Sequence, residues 1–370
     1  MPVGKAVNDR LSQVQVIHPK PGSNVLAVSR SLAMAESELV SPPLDSISAV
    51  RFAPTEPNTL LVSSWDKTVR LYDAATNAQK SKYEHRAAVL STTFSDDAHA
   101  FSGGLDATLR ELDLASENMR ALGQHSDTIS AVSWLKNTNS LATGSWDRTL
   151  RVWDPRASTA QQSSYDLPER VYFMDSLQNR LVVALASRLF HIYDVRNMSQ
   201  PEQTRESNLK FMTRALACMI DGQGARFVIS GPWYATASVE GRIAVEYFDM
   251  TPEVQDKKYA FKCHRQTIDD VDHVWPVNSL AFHPIYNTFA SAGSDGTVSI
   301  WDLKLKKRLR QYPKYSGPVP SIAFNADGSK LAVGVSYTWD NGEEGAQSAP
   351  RPTIHIRSLG DEIKPKNWSG

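Results

Sequence analysis

The fold is decided by Gly144-Ser145-Trp146-Asp147-Arg148-Thr149-Leu150-Arg151-Val152-Trp153-Asp154. It reads as a strand ending at Ser145, a tight turn at Asp147-Arg148, and a second strand in which Leu150 and Val152 alternate before Trp153-Asp154 closes it. Working outward, the closing strand recurs as Asp66 to Asp73, Asp106 to Asp113, a degenerate Ser187 to Asp194, a longer Glu240 to Asp249, and Asp295 to Asp302. The closing aspartates at 73, 113, 154 and 194 are 40, 41 and 40 residues apart, and the next steps, to 249 and 302, are 55 and 53. The longer steps imply insertions in the later units.

A strand–turn–strand unit ending in Trp-Asp at a period of about 40 residues is the signature of a WD-repeat β-propeller blade. An independent count of opening strands gives Ile47–Phe52, Val89–Phe94, Ile129–Trp134, Val171–Ser176, Arg214–Met219, Val277–Phe282 and Val319–Phe324. Seven openings face six clear closings. Thr353-Ile-His-Ile-Arg357 supplies the seventh, after a polar loop from about Thr338 to Pro352. The sequence therefore predicts an all-β, seven-bladed propeller. A propeller must close its ring, because an open edge strand invites aggregation. Glu38-Leu39-Val40 is placed to complete the last blade beside Thr353–Arg357. The propeller is expected over 36–360 as one monomeric domain. Residues 1–35 lack the pattern and are expected to be a disordered extension, with Met1–Ala33 either an optional extension or a gene-model artefact, and 361–370 to be a frayed tail.

Composition bounds the function. Forty Lys+Arg balance forty Asp+Glu, so net charge gives no support to a nucleic-acid or membrane partner. No apolar run approaches the ~20 residues needed to cross a bilayer. Two cysteines, Cys218 and Cys263, fit a reducing compartment and read as buried free thiols. Polar residues of the repeat have structural work: Trp153, Thr143, His125 and Asp147 resemble the hydrogen-bonded tetrad of WD repeats. His85 with Asp106, and His264 with Asp295 and Trp301, are partial copies. There is no Gly-x-Ser-x-Gly, phosphate-cradling loop or His-Glu-x-x-His, and Cys263-His264 has no second pair at zinc spacing. No catalytic residue, metal site or cofactor is expected.

Function is then sought where side chains break the repeat in exposed turns. Trp65 and Trp146 each precede the turn aspartate, where other blades carry Leu105, Val239 and Ser294. Either the rings lie flat on neighbouring loops, or they anchor a partner. The second departure is a set of cations in blades four to six: Arg214 at a strand start, Arg242 in Glu240-Gly241-Arg242, and Lys262 and Arg265 in Phe261-Lys-Cys-His-Arg265. They suit a carboxylate or a phosphorylated side chain, or pair internally with Glu240, Glu246 or Asp270.

Three groups of segments are diagnostic. They are Ser63-Ser-Trp-Asp-Lys-Thr-Val-Arg-Leu-Tyr-Asp73 with Ser102-Gly-Gly-Leu-Asp106; Arg205-Glu-Ser-Asn-Leu-Lys210 with Val239-Glu-Gly-Arg-Ile-Ala-Val-Glu-Tyr247; and Lys258-Tyr-Ala-Phe-Lys-Cys-His-Arg265. Over about Glu38 to Leu359 the chain resembles the mitotic checkpoint WD-repeat proteins of the Bub (budding uninhibited by benzimidazole) family. The RNA-export WD-repeat factors of the Rae/Gle type, which bind a nucleoporin, share the Glu-Gly-Arg and Phe-Lys-Cys-His-Arg segments. Trp65-Asp66 with Tyr72-Asp73 favours the checkpoint group. An unrelated propeller scaffold, such as a ubiquitin-ligase receptor, is a third reading. The Bub resemblance implies a non-enzymatic adaptor in the nucleus, at kinetochores in mitosis. Its top face would bind the GLEBS motif of checkpoint kinases and their relatives, and phosphorylated Met-Glu-Leu-Thr repeats of a kinetochore scaffold. By matching motifs, Arg242 and Lys262 are assigned to the phosphate, Arg214 to the GLEBS contact and the phosphopeptide, and Trp65, Trp146, Arg265 and Glu240 to the partner-binding rim. The chain departs from the family in its extension, in Ser230-Gly-Pro-Trp-Tyr-Ala-Thr-Ala237 and in the acidic, Gly-rich Asn341–Gln347.

Overall fold

A computed structural model describes residues 36–219, 233–365 and 368. The extension expected over 1–35 lies outside them, as do the first three residues of the Ser230–Ala237 segment. Seven four-stranded antiparallel sheets form the seven blades, with strands spanning 47–84, 89–124, 129–166, 171–206, 213–262, 277–311 and 321–358. In the first six the first strand lines the centre and the others follow outward in chain order; the seventh takes three strands from 321–358 and its outermost from the N-terminal side. The quoted stretch behaves as read: Ser140–Ser145 and Thr149–Trp153 pair across a turn in which Arg148 takes φ 64°. Branched and aromatic residues alternate inward and pack blade against blade, as where Leu150 of blade three meets Val171 and Leu185 of blade four.

The ring closes through an N-terminal strand, two residues earlier than the sequence suggests. Glu36–Glu38 pairs with Thr353–Ser358, Glu36 opposite Arg357 and Glu38 opposite His355. The apolar Leu39 and Val40 suggested the later register, but only Leu39 is buried, while the Val40 N–H turns to Asn77 Oδ1 at 3.0 Å. The Glu36 carboxylate accepts hydrogen bonds from Arg357 and, at 2.8 Å, from the Tyr315 hydroxyl. The tail expected to fray over 361–370 lies partly outside the described residues. Asp361–Ile363 forms a 3-10 turn that buries Ile363 among Tyr312, Leu331 and Val335, removing its side chain from water. Within the seventh blade's long loop, Gly342–Gln347 is a short α-helix with Glu343 and Glu344 in its first turn, where the helix dipole favours acids.

The tetrad is complete in blades three and six. Trp153 Nε1 donates to Thr143 Oγ1 at 2.8 Å, Thr143 lies 2.7 Å from His125 Nε2, and His125 Nδ1 lies 3.0 Å from Asp147 Oδ2. Trp301, Ser291, His264 and Asp295 repeat the chain at 2.9, 2.8 and 2.9 Å. Blade two has Leu112 in the tryptophan's place. There Arg110 enters between His85 and Asp106, at 3.0 and 2.7 Å. Burial pushes the imidazoles of His85, His125 and His283 down to about 4. Burial opposes the charge on Asp147, but hydrogen bonds from Thr149, the Ser126 N–H and His125 outweigh it and hold the carboxyl well below the usual range.

Side chains also stitch blade to blade around the centre. Ser48 donates to Val89 O at 2.6 Å and Ser130 to Val171 O at 2.7 Å. Ser91, Asp175, Ser279 and Ser321 accept backbone N–H groups of the following blades at 3.1, 2.6, 3.2 and 3.0 Å. Blade five meets blade six through Arg214 Nε on Asn278 Oδ1, 3.1 Å. Both cysteines are free and buried.

Thr143→Val leaves two buried polar atoms unpaired, at about 1–3 kcal/mol each. Urea unfolding should show a loss of about 2–6 kcal/mol, and a loss under about 1 would contradict a shared hydroxyl. The three buried histidines titrate at about 4 in the folded chain against 6.5 ordinarily, so protons favour the unfolded state. Their contribution to stability is complete above pH 6.5 and is lost as pH drops from there through 4. A thermal midpoint that stays flat across that window would contradict neutral, buried imidazoles.

Candidate functional site

Cross-strand register places the predicted cations on one rim. Across blade five Thr213 stands opposite Ser238, Ser238 opposite Arg242, and Arg242 opposite Lys262. With strands about 4.8 Å apart, this row runs from Thr213, next to Arg214 on the strand beside the central channel, to Lys262 at the outside. Directly opposed residues project from the same face with Cβ atoms about 5 Å apart, so two cationic side chains start from neighbouring positions, where like charges are unfavourable unless an anion lies near them. The internal pairing left open by the sequence is partly present. Glu240 Oε2 lies 3.6 Å from Arg242 Nε, while Lys262 is exposed and has no ion pair among the described residues. Glu246 is buried and accepts from Asn208 instead.

The turn between them is built for this. Gly241 has φ +64°, and a Cβ there would lie 2.7 Å from Cys263 O, so glycine is required between Glu240 and Arg242. Arg265 reaches back and donates from Nη2 to Glu240 O at 2.6 Å, fixing the turn's backbone. Arg214 is more committed than a free site residue: it holds Asn278 and faces Asp340 Oδ1 at 3.9 Å. Trp233 and Tyr234 lie away from these cations. Trp233 pairs with Tyr247, at the opposite end of the strand from Arg242, and its ring stacks on Tyr247 at 5.7 Å.

Trp65 and Trp146 occupy the equivalent turns of blades one and three, hence the same rim. They differ in setting. Trp65 is 42% exposed, whereas Trp146 is half-buried, with an indole N–H that meets no acceptor. Sequence reasoning missed other members of this rim. Leu44, Leu105, Phe211, Met212, Trp339 and the aliphatics of a hairpin at 265–274 are all exposed there, whereas Met250, Ile285 and Leu305 are exposed on the opposite rim and Val40 beside the Asn77 turn. Trp339 is 54% exposed at φ 61°, in a loop folded around the Tyr337 hydroxyl. The Trp-Asp-Asn-Gly signal for a turn was present, but nothing in it says which way the ring faces. One rim therefore carries an apolar surface with a cationic end at blade five.

The WD domain, G-beta repeat family model matches residues 40–73, 116–154 and 258–302. Mitotic checkpoint protein BUB3.1 of Arabidopsis thaliana is 47% identical over 337 residues, spanning 90% of this chain and 95% of the relative. The chain belongs to the Bub family of mitotic checkpoint WD-repeat proteins. Mitotic checkpoint protein bub3 of Dictyostelium discoideum is 42% identical, spanning 89% of this chain and 96% of its own. The Poly(A)+ RNA export protein of Schizosaccharomyces pombe, 38% identical over 90% of this chain and 93% of its own, shows how near the export group lies. Among solved structures, the RRP9 WD40 repeats superpose with a TM-score of 0.71 at 16% identity, over 88% of this chain and 97% of that one, a likeness of fold alone.

Proposed function

We propose that this Bub-family protein is a non-enzymatic spindle-checkpoint adaptor that works in the nucleus and, in mitosis, at kinetochores. One rim binds the GLEBS motif of checkpoint kinases and their relatives and, at blade five, a phosphorylated Met-Glu-Leu-Thr repeat of a kinetochore scaffold. The observation that carries this reading is the opposed pair Arg242 and Lys262, two cations on one face with a single, long internal contact to Glu240 among the described residues. A phosphothreonine brings close to two negative charges and several acceptor oxygens, and a pair of cations from adjacent strands forms charge-assisted bonds to it. Arg214 serves chiefly as the bridge to blade six, supporting the rim from the channel side. Trp65, Trp146, Glu240 and Arg265 shape and flank the surface. The RNA-export relative keeps a second reading in play, in which the same rim takes a nucleoporin segment.

Calorimetry with phosphorylated and unphosphorylated Met-Glu-Leu-Thr peptides separates them at the level of chemistry. The phosphate is expected to contribute a few kcal/mol, on the order of 100-fold in affinity. Arg242→Glu or Lys262→Glu should erase that difference without lowering the thermal midpoint. Equal affinity for the two peptides would overturn the adaptor reading. Nuclear-rim rather than kinetochore localisation in cells arrested with a spindle poison would favour the export reading.

A further inference from the structure

Between blades five and six the chain makes a detour that belongs to no blade. Arg265–Ile268 and Val271–Val274 pair only with each other, through a two-residue turn at Asp269 and Asp270 with φ 51° and 61°. A lone two-stranded hairpin is marginal in water, and here nearly every residue is exposed, including Ile268, Val271 and Val274. Both long edges lack a ladder partner among the described residues. The register sets Gln266, Ile268, Val271 and His273 on one face, and Arg265, Thr267, Asp272 and Val274 on the other.

The base of the hairpin is fixed to the blade-five turn. Trp275 N–H donates to His264 O at 3.1 Å, and Arg265 holds Glu240 O. Val274 and Trp275 crowd Gly241 so closely that a Cβ there would sit 3.0 and 3.1 Å from them. The hairpin thus stands on the residue before Arg242. Its charge is graded. Arg242, Lys262 and Arg265 lie at the base, while Asp269 and Asp270 lie at the tip, about 10–13 Å away for three to four extended residues; Asp272 stands midway, accepting from the Thr267 hydroxyl at 2.8 Å.

We propose that this hairpin is a strand-addition arm for the phosphorylated partner, an inference that rests on the phosphate site proposed above. An extended segment adds to one free edge, with its phosphate at the base and a lysine or arginine about four residues away at the acidic tip. Aliphatic side chains between them pack on Ile268 and Val271. Main-chain hydrogen bonds give such an addition its affinity, and alternate side chains give it specificity. The charge gradient selects this occupant, since it requires a ligand that is negative at one end and positive at the other.

The test uses the full chain and three labelled peptides. One is Met-Glu-Leu-phosphothreonine alone. Two extend it by five residues, on one side or the other, with valines at alternate positions and a lysine four residues from the phosphate. One extended peptide should bind about tenfold tighter than the short one. That gain should vanish in Ile268→Thr/Val271→Thr, in Asp269→Lys/Asp270→Lys, and when a Gly-Ser linker replaces Gln266–His273, with short-peptide affinity unchanged. An equal gain in all variants, or no gain from either extension, overturns the arm while leaving the phosphate site intact. Failure of the short phosphopeptide to bind removes the phosphate site and the arm with it. A chain that sediments as a dimer through Ile268 and Val271 assigns the edge to a second copy, and also overturns the proposal.

Discussion

The rest of the structure depends on closing the ring. Seven blades can hold their relative positions only if the seventh is completed by the strand at Glu36–Glu38, since otherwise Thr353–Ser358 would present an open edge. The closure is secured chemically as well as by the ladder. Glu36 takes Arg357 and Tyr315, and the Arg357 guanidinium lies 4.4 Å over the Tyr312 ring. The side-chain stitches around the channel then carry that closure from blade to blade. Because angular order is fixed, turns on blades one, three and five, and the long loop of blade seven, present Trp65, Trp146, Arg242 and Trp339 to the same side.

On that frame, residues that hold the fold alternate with residues left on the rim at single positions. In Ser145-Trp146-Asp147 the serine and aspartate hold the turn, Ser145 Oγ donating to Asp127 O and Asp147 accepting from His125, while the tryptophan between them is free of the repeat's constraints. The same holds at blade five. Gly241 meets a backbone need, and its neighbours Glu240 and Arg242 are left to form the charged surface. The framework tolerates two opposed cations at Arg242 and Lys262 because the strands beneath them, Ile243 against Phe261, are held by apolar packing rather than by the rim.

Much of this was legible in the sequence because the repeat is a physical rule: strand alternation, a turn aspartate and a buried Trp-Asp recur at a fixed period. The tetrad residues and the seven opening strands follow from it. What was not legible depends on neighbours that no local pattern encodes. Ser-Trp-Asp occurs at both 64–66 and 145–147, yet one ring is exposed and the other half-buried. The closing strand's register turned on Glu36 meeting Arg357, 321 residues away in the chain. The hairpin escaped notice because Asp269-Asp270 is a weaker two-residue turn signal than Asn-Gly or Asp-Gly, and because it interrupts the blade period it adjoins. The opposition of Arg242 and Lys262 needs the register, which sequence supplies only once the strands are paired.

The cross-strand pair Arg242 and Lys262 at blade five is the proposed seat of the phosphate. A crystal structure of the chain with a phosphothreonine Met-Glu-Leu-Thr peptide addresses it most directly. The expected result is a phosphate with its oxygens within about 2.7–2.9 Å of nitrogen atoms of both Arg242 and Lys262, and Glu240 turned away from Arg242. A phosphate seated on Arg214 alone, elsewhere on this rim, or on the opposite rim would contradict it.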